Sequence, residues 1–358
     1  MTGLKRKITV LAAVMTLPMY SCGNVLENGD MPVHTETSYT TAAPVTEAPP
    51  ETTTVTAQTE AESKTEKTSQ TTKKAKVTTS ATTTASAETT AAPEQDPDAY
   101  PHYRSITVYC VEDVSYIFTD NPDERCAPGS ITKLLTASVA LHNLSPDTVL
   151  TVGTEQELVH PGSSVCGIQQ GQQAKLSDLI TGMLMPSGSD AAYTVAVSTA
   201  RALCPDKELS DTEAIDLFCE KMNEFAAGIG MTNTHFINPE GWDDPNHYTT
   251  ASDLTVLAQY AINVPEIRAV TSSSTATVTF ETGETFNWKS TNFFLHPYSR
   301  FYDERSIGMK TGTTLSAGNC FVGAFVIDGK TYITTVLGCY SDVDRFEITA
   351  RLLREKIK

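Results

Sequence analysis

Three short segments of the chain hold residue types able to make and break an acyl bond. In Ser130-Ile131-Thr132-Lys133 a hydroxyl and an amine stand three residues apart. On a helix that spacing is one turn, so both side chains share a face. Pro128-Gly129 before the apolar Leu134-Leu135 marks a helix start, where unpaired backbone N–H groups can stabilise an oxyanion. The amine becomes a general base only if burial or a nearby cation lowers its pKa. A helix cap with a surface lysine would satisfy the same spacing. Ser187-Gly188-Ser189-Asp190 follows an apolar-periodic stretch that ends at Leu184. Its two hydroxyls could relay protons or hold a substrate amide, or Pro186 and Gly188 could simply stop the helix. Lys310-Thr311-Gly312-Thr313 sets a lysine and hydroxyls beside a glycine. At a strand edge these make a carboxylate-binding surface that another backbone can approach closely.

The elements that must position these segments form a mixed pattern. Ser105 to Tyr109 and Tyr116 to Phe118 read as an opening hairpin. Leu176, Leu179, Ile180, Met183 and Leu184 fall on one helix face. Thr250-Ala251-Ser252-Asp253 is a capping-box pattern ahead of Leu254, Leu257, Ala258 and Tyr260. Thr275 to Phe280 and Thr285 to Trp288 alternate around a glycine-containing turn, and Phe321 to Ile327 and Thr331 to Leu337 flank Asp328-Gly329. Arg345 to Lys356 reads as a closing helix. Strands at both ends with helices between predict one antiparallel sheet assembled from N- and C-terminal pieces around a helical insertion.

Other features bound what the chain can be. It has 358 residues, 43 acidic against 26 basic, for a net charge of −17. That balance argues against a nucleic-acid partner and against electrostatic attachment to anionic lipid. Lys5-Arg6-Lys7 followed by the 12 apolar-rich residues Ile8 to Met19 has the form of an export signal, too short to span a bilayer. It ends in Ser21-Cys22, which resembles the bacterial lipoprotein signal and makes Cys22 a lipidation candidate. An ordinary cleaved signal also ends this way. Met31 to Pro97 holds 21 threonines in 67 residues and no Leu, Ile, Phe or Trp. Such a stretch cannot bury enough apolar surface to order itself, so residues 23–97 are expected to be a disordered tether. The folded part is expected over 98–358, with 32 acidic and 18 basic residues. The seven cysteines beyond Cys22 show no C-x-x-C pair and are expected to be mostly small buried hydrophobes rather than a disulfide framework.

Taken together and in order, Ser130-x-x-Lys133, Ser187-x-Ser189 and Lys310-Thr311-Gly312 match the signature of the penicillin-interacting serine acyltransferases. The surrounding residues narrow the match. Ala127 to Ala137, Gly230-Met231-Thr232-Asn233-Thr234-His235-Phe236-Ile237-Asn238-Pro239-Glu240-Gly241, Asp244 to Tyr248, Gly308 to Gly312 and Ala317 to Cys320 resemble the D-alanyl-D-alanine carboxypeptidase family, the low-molecular-mass penicillin-binding proteins of the S11 type. The resemblance covers about Ser105 to Leu353. It implies an α+β fold, an α/β/α sandwich whose antiparallel sheet is flanked by helices with a helical subdomain. It further implies removal of the terminal D-Ala from peptidoglycan stem peptides, inhibition by β-lactams and no metal or organic cofactor. Carried over residue by residue, Ser130 is the acylated nucleophile, Lys133 its base, and Ser187 the proton donor to the leaving group. Lys310 polarises the site, Thr311 binds the substrate carboxylate beside Gly312, and the N–H groups of Ser130 and Thr313 form the oxyanion hole.

Two departures stand out. Ser189 occupies a position where the family usually has Asn, which orients substrate and lysine. A serine keeps a donor and an acceptor but is shorter and loses the carboxamide's paired geometry. The sequence also stops after the last helix of the catalytic domain, where many relatives continue to a C-terminal anchor, so a lipid at Cys22 would tether the protein to the outer face of the membrane. A serine β-lactamase shares the three motifs, but no glutamate between Ser189 and Lys310 is singled out as the holder of a hydrolytic water. A catalytically impaired stem-peptide binder is the alternative that Ser189 motivates. His235 and His247 are expected to be structural, and Trp242 and Trp288 packing residues.

Overall fold

The computed structural model describes residues 101–357. The expected export signal with Cys22, the tether over 23–97 and the first residues of the folded part lie outside the described residues. In chain order the elements are β1 (Ser105–Cys110), β2 (Ser115–Asp120), α1 (Thr132–Asn143), β3 (Val149–Thr151), β4 (Gln173–Lys175) and α2 (Leu176–Leu184). There follow α3 (Ser189–Leu203), α4 (Asp211–Ile229), α5 (Ala251–Ala261), α6 (Pro265–Thr271), β5 (Thr275–Thr279) and β6 (Thr285–Lys289). The chain closes with β7 (Ser306–Thr314), β8 (Gly318–Ile327), β9 (Lys330–Cys339) and α7 (Asp344–Lys356).

Five strands make one antiparallel sheet in the order β2-β1-β9-β8-β7. Asp328 and Gly329 take φ of 50° and 78°, the left-handed pair whose twist suits a two-residue hairpin, and so join β8 to β9. Pairing of β1 with β9 brings the two ends of the folded part side by side. The sheet is buried on both faces. Ile106, Val108 and Val336 pack with Ile348 and Leu352 of α7, and Phe321 and Phe325 pack with Phe346. On the opposite face Val322, Ala324, Ile333 and Leu337 join the helical core. There Thr107 and Thr255 share a hydrogen bond of 2.7 Å and Thr255 and Thr335 one of 3.3 Å, so the polar groups between sheet and α5 satisfy one another.

The helical part lies between β2 and β7 in sequence. All five residues of the predicted α2 face are buried in one core with Leu134, Leu135 and Phe218. The longest helix among the described residues, α4, carries a complete capping box: Ser210 N donates to Glu213 Oε2 at 2.9 Å and Glu213 N to Ser210 Oγ at 3.3 Å. It ends at Gly230 with φ of 100°. At α5 only half of the expected box forms. Asp253 N donates to Thr250 Oγ1 at 3.1 Å, while the Asp253 carboxylate accepts from Asn233 N at 2.7 Å instead of returning to the cap. Cys110, Cys126, Cys166, Cys219, Cys320 and Cys339 are free and buried. Among the described residues no helix is long and apolar enough to cross a membrane.

Candidate active site

Ser130 lies in a short 3-10 turn, Gly129–Ile131, that leads into α1. The turn needs glycine at 129, where φ is +54° and an added Cβ would stand 3.2 Å from Thr313 N. Lys133, one turn along, is wholly buried, which removes the surface-lysine alternative. Its Nζ is 3.0 Å from Ser130 Oγ and donates to the Glu240 carbonyl at 2.8 Å. Burial brings the Lys133 amine down to about 8, against the upward pull of the Glu240 and Asp190 carboxylates. The start of α1 is laced to the 238–249 segment through Thr136 Oγ1, which donates to Pro239 O at 2.7 Å, and through a 2.9 Å bond between Thr132 Oγ1 and His247 Nε2. Burial lowers His247 to about 4, so its ring is neutral at ordinary pH.

A second serine and lysine meet from opposite parts of the chain. Ser187 sits between α2 and α3 with φ of 68° and is buried. Lys310 on the edge strand β7 is also buried, and its Nζ donates to Ser187 Oγ at 2.9 Å and to Thr311 O at 3.0 Å. Burial, the charge of Lys133 and that of Arg345 hold the Lys310 amine well below its ordinary value. Gly188 lets the two helices meet closely, because a Cβ there would lie 2.7 Å from Gly182 O.

Strand β7 runs against the Ser130 turn. A side chain at Gly312 would meet Pro128 O at 2.6 Å and Ser130 N at 3.2 Å. The Ser130 and Thr313 amides are thereby brought to one place. The Thr311 hydroxyl shares a 2.6 Å bond with Thr291 Oγ1, and the Thr313 hydroxyl accepts from Arg345 Nη1 at 2.9 Å. The same Arg345 nitrogen donates to Gly312 O at 3.0 Å and Cys320 O at 3.2 Å, pinning the strand from behind. A cavity of about 490 Å³ opens here, lined by Ser130, Ser189, Glu240, Trp242, Asp243 and Thr313 among others. Of the sequence candidates, Ser130, Ser189 and Thr313 line it. Lys133 is bonded to Ser130, while Ser187, Lys310 and Thr311 are buried and do not line it.

A family model described as D-alanyl-D-alanine carboxypeptidase matches residues 113–341. The chain belongs to this family of serine peptidases. A D-alanyl-D-alanine carboxypeptidase of Streptomyces sp. strain K15 is 34% identical over 237 residues, covering 63% of this chain and 77% of the relative. D-alanyl-D-alanine carboxypeptidase DacC of Escherichia coli is 31% identical over 246 residues, covering 65% of this chain and only 56% of the relative. The crystal structure of the Streptomyces K15 DD-transpeptidase superposes with a TM-score of 0.64 at 28% identity, over 72% of this chain and 98% of that one.

Set within the carboxypeptidase family, the site contains groups that the sequence reading passed over. Glu240, a buried carboxylate between Ser189 and Lys310 in sequence, lines the Ser130 cavity. Its Oε1 is 2.7 Å from His160 Nδ1 and accepts from Tyr193 OH at 3.3 Å. Trp242 differs from expectation. It lines the cavity and stacks on His160 with ring centres 4.9 Å apart and planes 5° from parallel. Trp288 does pack in the core, with Nε1 donating to Cys166 O at 2.9 Å. Asp190 accepts from Cys166 N, Gly167 N and Ile168 N at 2.9, 2.8 and 3.2 Å, and so fixes the backbone of residues 166–168. The available signal for these groups was weak: a lone Glu in a Pro-x-Gly turn and a lone His in a loop have no spacing that announces chemistry. His235 and His247 hold the 235–248 loop, His235 through a 2.7 Å bond between its Nδ1 and Asn246 O.

Proposed function

We propose that this chain removes the terminal D-Ala of peptidoglycan stem peptides through an acyl-enzyme on Ser130, and that β-lactams acylate the same hydroxyl. Lys133 takes the Ser130 proton as Oγ attacks the carbonyl carbon of the D-Ala-D-Ala bond. The oxyanion rests on the N–H groups of Ser130 and Thr313. As the C–N bond breaks, Ser187, polarised by Lys310, passes a proton to the leaving amine and is recharged with the proton that Lys133 took from Ser130. Thr311, with Gly312 allowing close approach, takes the substrate carboxylate. Water then cleaves the ester: its hydroxyl goes to the acyl carbon, and its proton passes by way of Lys133 to Ser130 Oγ, which frees the serine. The observation that carries this reading is the pairing of Ser130, which lines the cavity, with the buried Lys133 at 3.0 Å, beside a second, buried serine–lysine pair, Ser187 and Lys310, at 2.9 Å. We also propose that the N-terminal segment exports the protein and that a lipid on Cys22 tethers it to the outer face of the cell membrane, with residues 23–97 giving reach across the wall.

The test incubates the full chain with penicillin, followed by intact mass and peptide mapping, and with a D-Ala-D-Ala peptide, followed by release of D-Ala. An adduct on Ser130 with D-Ala release, both absent in Ser130→Ala, is the expected result. Rapid loss of the adduct with β-lactam turnover would favour a β-lactamase. A folded protein with neither activity would favour a stem-peptide binder. For the tether, intact mass of the protein from membranes would carry acyl chains on Cys22, and Cys22→Ala would release it to the soluble fraction.

A further inference from the structure

The acyl-transfer roles leave two carboxylates of the cavity unused, and of these Asp243 is engaged by Thr314 Oγ1 and Ser316 N, which leaves Glu240. The Glu240 side chain is only 2% exposed yet lines the cavity with Ser130 and Ser189. Both His160 and Tyr193 bind the same oxygen, Oε1, so the other retains capacity to accept a hydroxyl. His160 is held in turn by stacking on Trp242, which fixes the clamp from the outer side. Ser163 Oγ is a second buried hydroxyl near the carboxylate. Burial pushes the Glu240 carboxyl up, but the hydroxyls of Ser189 and Ser163, the charge of Lys133 and His160 pull it below the ordinary value, so it is an anion at neutral pH. The same residue reaches Lys133 twice, by its carbonyl at 2.8 Å and by the field of its carboxylate. Asp190, the other carboxylate acting on Lys133, is already committed to backbone N–H groups.

We propose that Glu240 is a positioning residue for Lys133: clamped by His160 and Tyr193, its carboxylate anchors the Ser189 hydroxyl and holds the lysine amine against Ser130. The pair supplies from two facing segments what one carboxamide at 189 would supply from one. The inference rests on the proposed roles of Ser130 and Lys133. The groups facing the pair are His160, Tyr193, Asp190, Cys166 and Lys310. Burial drives Tyr193 and Cys166 upward and Lys310 downward, which leaves Lys133 as the amine that titrates near pH 8.

The test measures the second-order rate of penicillin acylation of the full chain from about pH 5 to about pH 10. Removal of the carboxylate charge in Glu240→Gln lowers the Lys133 pKa, so the acid limb of the profile moves down by about one pH unit. The plateau also falls about tenfold as the amine loses its anchor. Glu240→Asp, which keeps the charge, returns the limb to its original place. A limb that moves in Glu240→Gln supports the inference whatever the plateau does; a limb that stays overturns it, since a merely structural loss lowers all pH values alike. If Glu240→Gln shows no cooperative melting transition, Ser189→Ala decides: a plateau about tenfold lower supports the pair, and an unchanged plateau overturns it. Wild-type protein without a Ser130 adduct would instead overturn the catalytic reading, and the inference with it.

Discussion

The pH dependence of acylation tests the site most directly, because it turns on one buried amine. Attack by Ser130 needs Lys133 in its neutral form. An exposed lysine near 10.5 is neutral in about 0.03% of molecules at pH 7. Burial of Lys133 to about 8 raises that fraction to about 9%, a gain of about 300-fold. The acylation rate of the full chain by a chromogenic penicillin, followed under pseudo-first-order conditions, is therefore expected to rise tenfold per pH unit below about pH 8 and then level off. At pH 6 it should stand about a hundredfold below the plateau. His247, at about 4, is already neutral throughout this range and cannot produce the limb. Lys133→Arg keeps the charge and length but cannot give up its proton, so its rate should lie about 10³-fold lower and show no limb. A wild-type profile that is flat between pH 6 and pH 9, or a Lys133→Arg variant that retains the limb, would refute the assignment of Lys133 as base.

Three further outcomes are expected. The folded state depresses the Lys133 pKa from 10.5 to about 8, so the unfolded chain binds more protons between those values and the cost to stability is full below pH 8 and fades as pH rises to 10.5. Lys133→Met should thus be inactive but more stable by up to about 3 kcal/mol at pH 7, with the gain in thermal midpoint vanishing near pH 10. Gly312→Ala places a methyl 2.6 Å from Pro128 O; it should lower the acylation rate about a hundredfold and cost about 1–3 kcal/mol in denaturant unfolding. Asp190→Ala strips the acceptor from three backbone N–H groups of residues 166–168 and should lower stability by about 2–4 kcal/mol, seen as a lower melting temperature at unchanged Ser130 labelling stoichiometry.

Much of the architecture was legible because it is written in local chemistry. Asp328-Gly329 announced its hairpin since two adjacent left-handed residues suit few other structures. The α2 face showed in five apolar positions, all of them buried. Helix α4 went unread although Ser210 and Glu213 spell a capping box, because its apolar residues are mixed with charges. The half-formed box at α5 shows the limit of pattern: Asp253 has the right spacing, but tertiary contact offers it Asn233 N instead.

By itself the sequence determined the spacing of Ser130 and Lys133 on one turn, the glycines where backbones must touch, and the order of the three motifs that names the family. Those are properties of single elements, set by helix pitch and by allowed backbone angles. The tertiary structure alone decided that Lys133 is buried, that Lys310 meets Ser187 across 123 residues, and that Glu240 meets His160 across 80. Proton affinity follows from desolvation and from which charges lie near, and both exist only after the sheet and the helical part have closed around the cavity.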